Sequence, residues 1–559
     1  MKNLLKVGIS AFVITAVLAA CGGGTAEAPP SPSAGQVAPA AAAAKVSFYA
    51  ASRFAEQASF GPTPALVAEL QAKGFEKWID EQMALPFVGI DIKPAEAIYV
   101  YGNNDKIPQE IHTYFDREIV RLSLAGPDPL RLRVMWSLSS FVVGARTKGE
   151  MPGHVNWANL LYRQAFGKYS DLLRGATLDR HMAHYLDNDQ NRPKSTECPN
   201  CAPNENYARE LMQLFTIGVI KLNPDGSAQR DSRGRFIETY TQRDVEELAR
   251  ALTGWTTDQN PPTRPQRNWG NWGKPMVPST WPPERDAGKK LVMGRTFAAG
   301  QTVAKDLDDI VDMLMTHPNI APFVSQRLIQ QLVKSDPSPA YIERVAAKFR
   351  NNGSGVAGDL KAVVKTLLLD PEARRGDNPS NARAEDGKFK EPWLHRVGAF
   401  RGLNCTTNPK SADGNYWSAY NQQAFRPDSV FGYYAPSDRA PGSNLLAPEQ
   451  RLLNSNELTT RLGELNWMRW NSVTQVQDSS QLRNAGCEVD ALISAYSQSP
   501  KAYLDLVSAR YFRGAMPPTL RSNIEQLIRQ PQWNANDPSE GAMRMLAFAL
   551  STPYYGVSK

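Results

Sequence analysis

Glu205, Arg209 and Glu210 carry the densest chemistry for their spacing. Two carboxylates with a guanidinium between them can be pushed to different pKa values, and so can supply an acid, a base and an anion-holding arm. The spacing has a plain structural use as well: Glu205 and Arg209 stand four apart, and such a pair on an exposed helix contributes only about 0.3–0.5 kcal/mol. His181 and His184, followed by Asp187 and Asp189, offer imidazoles and carboxylates for a transition metal, with surface or capping histidines as the alternative. The HExxH spacing of a zinc protease is absent. Trp255, Trp269, Trp272 and Trp281 present flat faces that can stack on the sugars of an envelope glycan, or can pin an irregular loop onto the core. The chain contains no Gly-x-Ser-x-Gly elbow, P-loop or Gly-x-Gly-x-x-Gly, so serine hydrolase, NTPase and dinucleotide-binding classes have no support. No cofactor is specified.

Cys198, Cys201, Cys405 and Cys487 are even in number, and three pairings are open. The simplest joins Cys198 to Cys201 within Cys-Pro-Asn-Cys and Cys405 to Cys487 over a long range. A zinc site would need further ligands at close spacing, and a redox CxxC of the usual kind would sit in a βαβ unit that the flanking sequence does not suggest.

Cys21 stands apart. Lys2 and Lys6 precede an apolar run from Val7 to Ala19, too short to anchor in a bilayer roughly 30 Å thick, and Leu18-Ala19-Ala20-Cys21 looks like a lipobox. The expectation is a signal peptide over 1–20 and lipidation of Cys21, which would hold the protein to a membrane through its acyl chains. Gly22 behind the cysteine favours the outer membrane of a Gram-negative envelope. Residues 22–44 are almost all Gly, Pro, Ala and Ser, the composition of a disordered tether about 25 Å long. Lys and Arg exceed Asp and Glu by seven, two of these being the leader lysines, and no charge run is present. A balance this dilute does not indicate nucleic acid.

Positioning these residues falls to helices. Thr63-Pro64, Asp128-Pro129 and the Thr241/Asp244 capping box read as helix starts, and helical periods recur over Asp306–Met315, Phe323–Val333, Tyr341–Phe349, Leu360–Leu369, Glu457–Met468 and Met543–Leu550. Leu130 to Val143 is apolar enough for a buried helix. In Asn204–Gly218, Tyr207, Leu211, Leu214 and Phe215 form the expected buried stripe, and Asn206, Glu210 and Gln213 a second polar row. One strand pair is predicted in Val219–Tyr240, around Asn223-Pro224-Asp225-Gly226. Thr256–Arg285, with seven prolines, and Asn378–Asp438 read as long loops, the natural places for a site. The prediction is a mainly α protein. Its body, 45–559, is a large multi-helix domain with a small β-hairpin insertion and long Pro/Trp-rich loops, in one lobe or two.

The Asn204–Gly218 stretch, together with Tyr240–Val245 and Leu252-Thr253-Gly254-Trp255, resembles the domain-of-unknown-function family 1800 of secreted bacterial proteins. Phe60-Gly61-Pro62-Thr63, Met182 with Tyr185-Leu186, Gly358-Asp359-Leu360, Leu369–Glu372, Glu391-Pro392 and Pro427–Phe431 fall in the same order, so the likeness runs from about Val46 to Tyr555. The resemblance implies no established activity. It does imply an exported partner from the domain-of-unknown-function family 1501. Relatives carry a His-Asp pair where this chain has Arg285-Asp286-Ala287-Gly288-Lys289, and histidines after the early tryptophan, where it has Trp136-Ser137-Leu138-Ser139-Ser140-Phe141. Histidine chemistry therefore does not carry over at those positions. The function expected is binding or presentation of a surface glycan or exported protein from the envelope, with a hydrolase or metal-assisted enzyme as the alternative.

Overall fold

Proline does much of the local work of starting helices. Thr63, Ser338, Asp370, Ser499 and Asp537 each cap a helix with the side chain while the next residue, a proline, takes the first helical position, where its missing N–H costs nothing. Thr241 and Asp244 make the reciprocal capping box of the Gln242–Ala251 helix. The computed structural model describes residues 46–98, 113–189, 191–258, 271–407, 422–463, 481–530 and 537–559. Cys21, the leader, the tether and Trp269 lie outside them, as does the end of the predicted Glu457–Met468 helix. Residues 44–559 form one compact unit. Its architecture is mainly α, and the described strands make three small two-stranded sheets. No helix among the described residues is long and apolar enough to cross a membrane.

Two helices, Pro129–Ser139 and Pro392–Gly402, are enclosed on nearly every side. They meet through Trp136 and Trp393, stacked 4.9 Å apart, with Tyr433 parallel to Trp136 at 6.4 Å. The buried arginines on these helices complete other helices. Arg401 donates to the carbonyls of Ser123 and Leu124, at the end of the Tyr114–Ala125 helix, and to that of Gly61. Those terminal carbonyls have no intrahelical donor, which is why a buried cation is tolerated there. Gly61, at φ 133°, passes so close to Gly398 that a Cβ would sit 3.1 Å from its Cα.

The sheets differ from the sequence expectation. Val219–Tyr240 does fold back on itself, but through two turns, with isolated bridges Ile220↔Glu238, Leu222↔Ala228 and Arg230↔Phe236. The regular hairpin lies elsewhere, Lys290–Val292 against Arg295–Phe297, turning on Met293 and Gly294, both at positive φ. That is a two-residue mirror-image turn with methionine at a position usually given to Asn or Asp, so no local signal announces it. Asn204–Gly218 also departs from a plain helix: Glu205–Glu210 is α-helical, and Leu211–Thr216 widens into a π turn in which Met212 O accepts from both Ile217 and Gly218. Tyr207, Leu211 and Phe215 are buried as the period predicts, while Leu214 is only half-buried.

Lys388–Phe389 pairs with Val557–Ser558 beside a buried carboxylate. Glu56 receives Arg513 at 2.7 Å, Ser558 Oγ at 2.7 Å and Lys390 at 3.5 Å. Burial alone would raise its pKa, but Arg513 and Lys390 prevail and hold it at about 2, below its ordinary 4.5. Because the folded value is the lower one, this carboxylate contributes stability that is complete above about pH 4.5 and lost as pH falls toward 2. Urea midpoints of wild type and Glu56→Gln should therefore lie well apart at pH 7 and much closer together at pH 2. A gap of the same size at both pH values would contradict this.

Candidate functional site

Two of the segments that carry the family likeness, Asn204–Gly218 and Pro427–Phe431, meet at one cavity. Ser140 and Phe141, at the end of the Trp136 helix, form one wall, and Leu214 of the π turn forms another. Arg327, Gln330 and Gln331 enter from the Ile320–Leu332 helix, and Val430, Phe431 and Tyr434 from the loop that follows Pro427. The accessible space is about 50 Å³, enough for the end group of a larger molecule. The π turn brings Leu214 there, off the regular helical stripe.

The lining is largely apolar, with a few polar side chains that are partly unsatisfied. Arg327 donates within its own helix, to Phe323 O at 3.3 Å, and lies over the Phe323 ring. Burial pushes its pKa down to about 9, which leaves it charged at neutral pH. No carboxylate pairs with it among the described residues. Gln330 is buried, with Nε2 on Ser335 O and Pro436 O, and its Oε1 has no protein donor. Gln331 is also buried and gives Nε2 to Tyr434 Oη at 3.0 Å, again leaving Oε1 without a donor. Arg327, Gln330 and Gln331 thus all line the cavity, a cation beside two amide side chains with hydrogen-bonding capacity to spare, chemistry that suits an anion carrying hydroxyls.

Beneath this floor lies a closed ionic cluster. Tyr434 Oη donates to Glu391 Oε1 at 2.9 Å, and Lys388 Nζ reaches Glu391 at 3.1 Å and Glu449 at 3.3 Å. The same ammonium caps Gln330 O and Gln331 O, each at 3.0 Å, so it fixes the backbone of both lining glutamines. Burial raises both carboxyls. Lys388 and Arg133 outweigh it for Glu391, whose pKa is lowered, whereas Glu449 stays raised, by burial first and by the charge of Glu391 in addition, against the pull of Lys388.

The residues singled out from sequence fall into separate places. Glu205 and Arg209 pair at 2.8 Å on the surface, with Gln242 bonded to both. Glu210 turns inward to Tyr185 and Tyr240. Burial raises its pKa, and its Oε2 has no protein donor. His181 is buried edge-on to His154, 4.8 Å away, and burial drives its pKa down to about 3. His184 instead bonds Asp189 at 3.0 Å, which also takes Arg180. Asp187 bonds Lys148 and Asn206, each at 3.2 Å. No group of three or more His, Cys, Asp or Glu side chains suited to hold a metal ion occurs among the described residues. Trp255 is buried, and Trp272 is buried beneath Arg180, 4.3 Å from its ring, which makes it a loop anchor. Trp281 is 37% exposed, with Nε1 on Glu197 at 3.2 Å. The cysteines join as Cys198–Cys201 and Cys405–Cys487. Asp286 and Arg285, in place of the relatives' His-Asp pair, are engaged with Arg250 and Asp306.

Sequence reasoning missed Arg327, Gln330, Gln331 and Tyr434. The helix carrying three of them was legible, as was the Pro427–Phe431 motif, but nothing local shows that one folds over the other.

These features define a mainly helical protein with a small, largely apolar cavity, furnished with a cation and two glutamines, where two of its distinctive motifs meet. The chain belongs to the family described as protein of unknown function, DUF1800, which it matches over residues 53–557. No curated protein and no solved structure matches it.

Proposed function

We propose that this chain is an envelope-tethered binding protein, lipid-anchored through Cys21 at the outer membrane, that holds an acidic sugar at the end of an envelope glycan in the Arg327 cavity. The observation that carries the reading is Arg327, half-buried and beside Gln330 and Gln331 in the cavity wall, where among the described residues the guanidinium has no carboxylate partner and the two glutamine Oε1 atoms have no donor. A sugar carboxylate answers the guanidinium, and neighbouring ring hydroxyls answer the two oxygens. An exported protein of the domain-of-unknown-function family 1501 would be the partner to which the glycan is presented.

Titration calorimetry of the purified protein with uronate-ended oligosaccharides, against neutral sugars of the same length, tests the ligand. A charge-assisted hydrogen bond contributes about 1.5–3 kcal/mol, so Arg327→Gln should weaken acidic-ligand binding roughly 10- to 100-fold. Equal affinity for neutral and acidic sugars would rule the reading out. The anchor is tested on the same protein drawn from its native host, whose amino-terminal peptide should carry acyl chains on Cys21.

A further inference from the structure

The loop that carries Cys198-Pro199-Asn200-Cys201 lies at the surface, with Pro199 and Asn200 exposed and both cysteines half-buried. Its ends are tied down without the disulfide. Asn191 Nδ2 donates to Ala249 O at 2.9 Å, Asn191 Oδ1 accepts from Asn204 N at 2.8 Å, and Ser195 and Cys198 exchange backbone hydrogen bonds at 3.2 Å. A link spanning three residues adds little further restraint on the chain. Cys405–Cys487 is its opposite, with buried sulfurs closing a separation of 82 residues.

Arg192 distinguishes the exposed pair. Its Nε points at Cys201 Sγ at 3.0 Å and its Nη2 at Cys198 Sγ at 3.2 Å, one guanidinium edge spanning both sulfurs. A disulfide sulfur is neutral and a weak acceptor, so this placement gains little in the oxidised state. A thiolate at either position gains a full charge-assisted contact, and a neighbouring arginine is among the groups that lower a thiol's pKa. Stabilising the reduced form makes a pair more oxidising, which is the property of labile rather than structural disulfides.

We infer that Cys198–Cys201 is a redox-active pair that exchanges with a protein dithiol, with Arg192 as the residue that holds the emerging thiolate. A thiolate of the dithiol attacks one sulfur, forming a mixed disulfide and breaking the Cys198–Cys201 bond, and the other sulfur leaves as a thiolate against Arg192. The second thiol of the partner then attacks the mixed disulfide and departs as its disulfide. Two electrons and two protons have passed to this chain, whose pair is left reduced. The inference does not rest on the glycan reading, since no residue of the Arg327 cavity takes part.

The test uses the full-length protein equilibrated in graded ratios of reduced to oxidised glutathione, then alkylated and read pair by pair by mass spectrometry. Cys198–Cys201 should open at ratios that leave Cys405–Cys487 closed. Arg192→Gln should lower the equilibrium constant for its reduction at least tenfold, about 30 mV, and Arg192→Lys should retain part of the effect. The rate of iodoacetamide capture against pH should move to higher pH in Arg192→Gln. Unchanged titration of Cys405–Cys487 verifies that each variant is folded. A Cys198–Cys201 pair that resists reduction as strongly as Cys405–Cys487, or an Arg192→Gln protein that titrates like wild type, overturns the inference.

Discussion

Lys388→Met should lower the stability of the folded protein by roughly 3–5 kcal/mol, the cost of removing one partner from a buried ionic cluster. Glu391 and Glu449 are both fully buried, and Lys388 is the cation that contacts both. Methionine keeps the volume but leaves two carboxylates facing one another without an ammonium, with Arg133 acting on Glu391 alone. It also strips the cap from Gln330 O and leaves Gln331 O to Arg133 alone, so the end of the Ile320–Leu332 helix loosens where it lines the cavity. The measurement is the urea midpoint at pH 7. Adding Glu449→Gln to Lys388→Met should recover part of the loss, because one unpaired charge is then gone. A variant within about 0.5 kcal/mol of wild type, the range of ordinary surface changes, would mean that the cluster does not hold the fold together.

Trp136→Ala is the second large effect expected, about 3–5 kcal/mol for deleting a fully buried indole. Its ring lies between Trp393 and Tyr433, with Phe60 edge-on at 6.2 Å, so the cavity left behind would be bounded by aromatics that cannot all close in. Trp136 also sets the floor of the candidate site from below. Ser139 and Ser140 bond its carbonyl as the helix ends, and Tyr433 precedes Tyr434. The variant should therefore lose affinity for acidic sugars at temperatures where circular dichroism still reports folded protein. Full affinity in a destabilised but folded variant would separate the site from this packing.

What the sequence reveals here follows how local each cause is. Leu360–Leu369 is a helix over the very residues that its period marks, because cap, period and apolar face all lie within ten positions. Glu205 and Arg209 are likewise a pair that their spacing alone identifies. Glu210 shows the limit: its place in a polar row does not say what surrounds it, and only tertiary packing brings Tyr185 and Tyr240 around it. Arg327, Gln330 and Gln331 lie within a legible helical period, but that period does not announce the loop after Pro427 that meets them at the cavity. Lys388, Glu391 and Glu449 come together across a stretch of chain whose course no short-range pattern dictates. The Met293-Gly294 turn and the π turn at Leu211–Thr216 lack the residues by which such turns are ordinarily recognised.

The pairing of Val557–Ser558 with Lys388–Phe389, beside Glu56, bears on when the body can form. Arg53 also reaches Lys559 O, a contact between residues 506 apart. A nascent polypeptide lacking these positions leaves a strand edge open and the Glu56 carboxylate short of a donor near its amino-terminal helices. Contacts of such long range are slow to form. Closure of the body thus waits on residues 557–559, and the amino-terminal helices reach their final packing only once that short strand has docked.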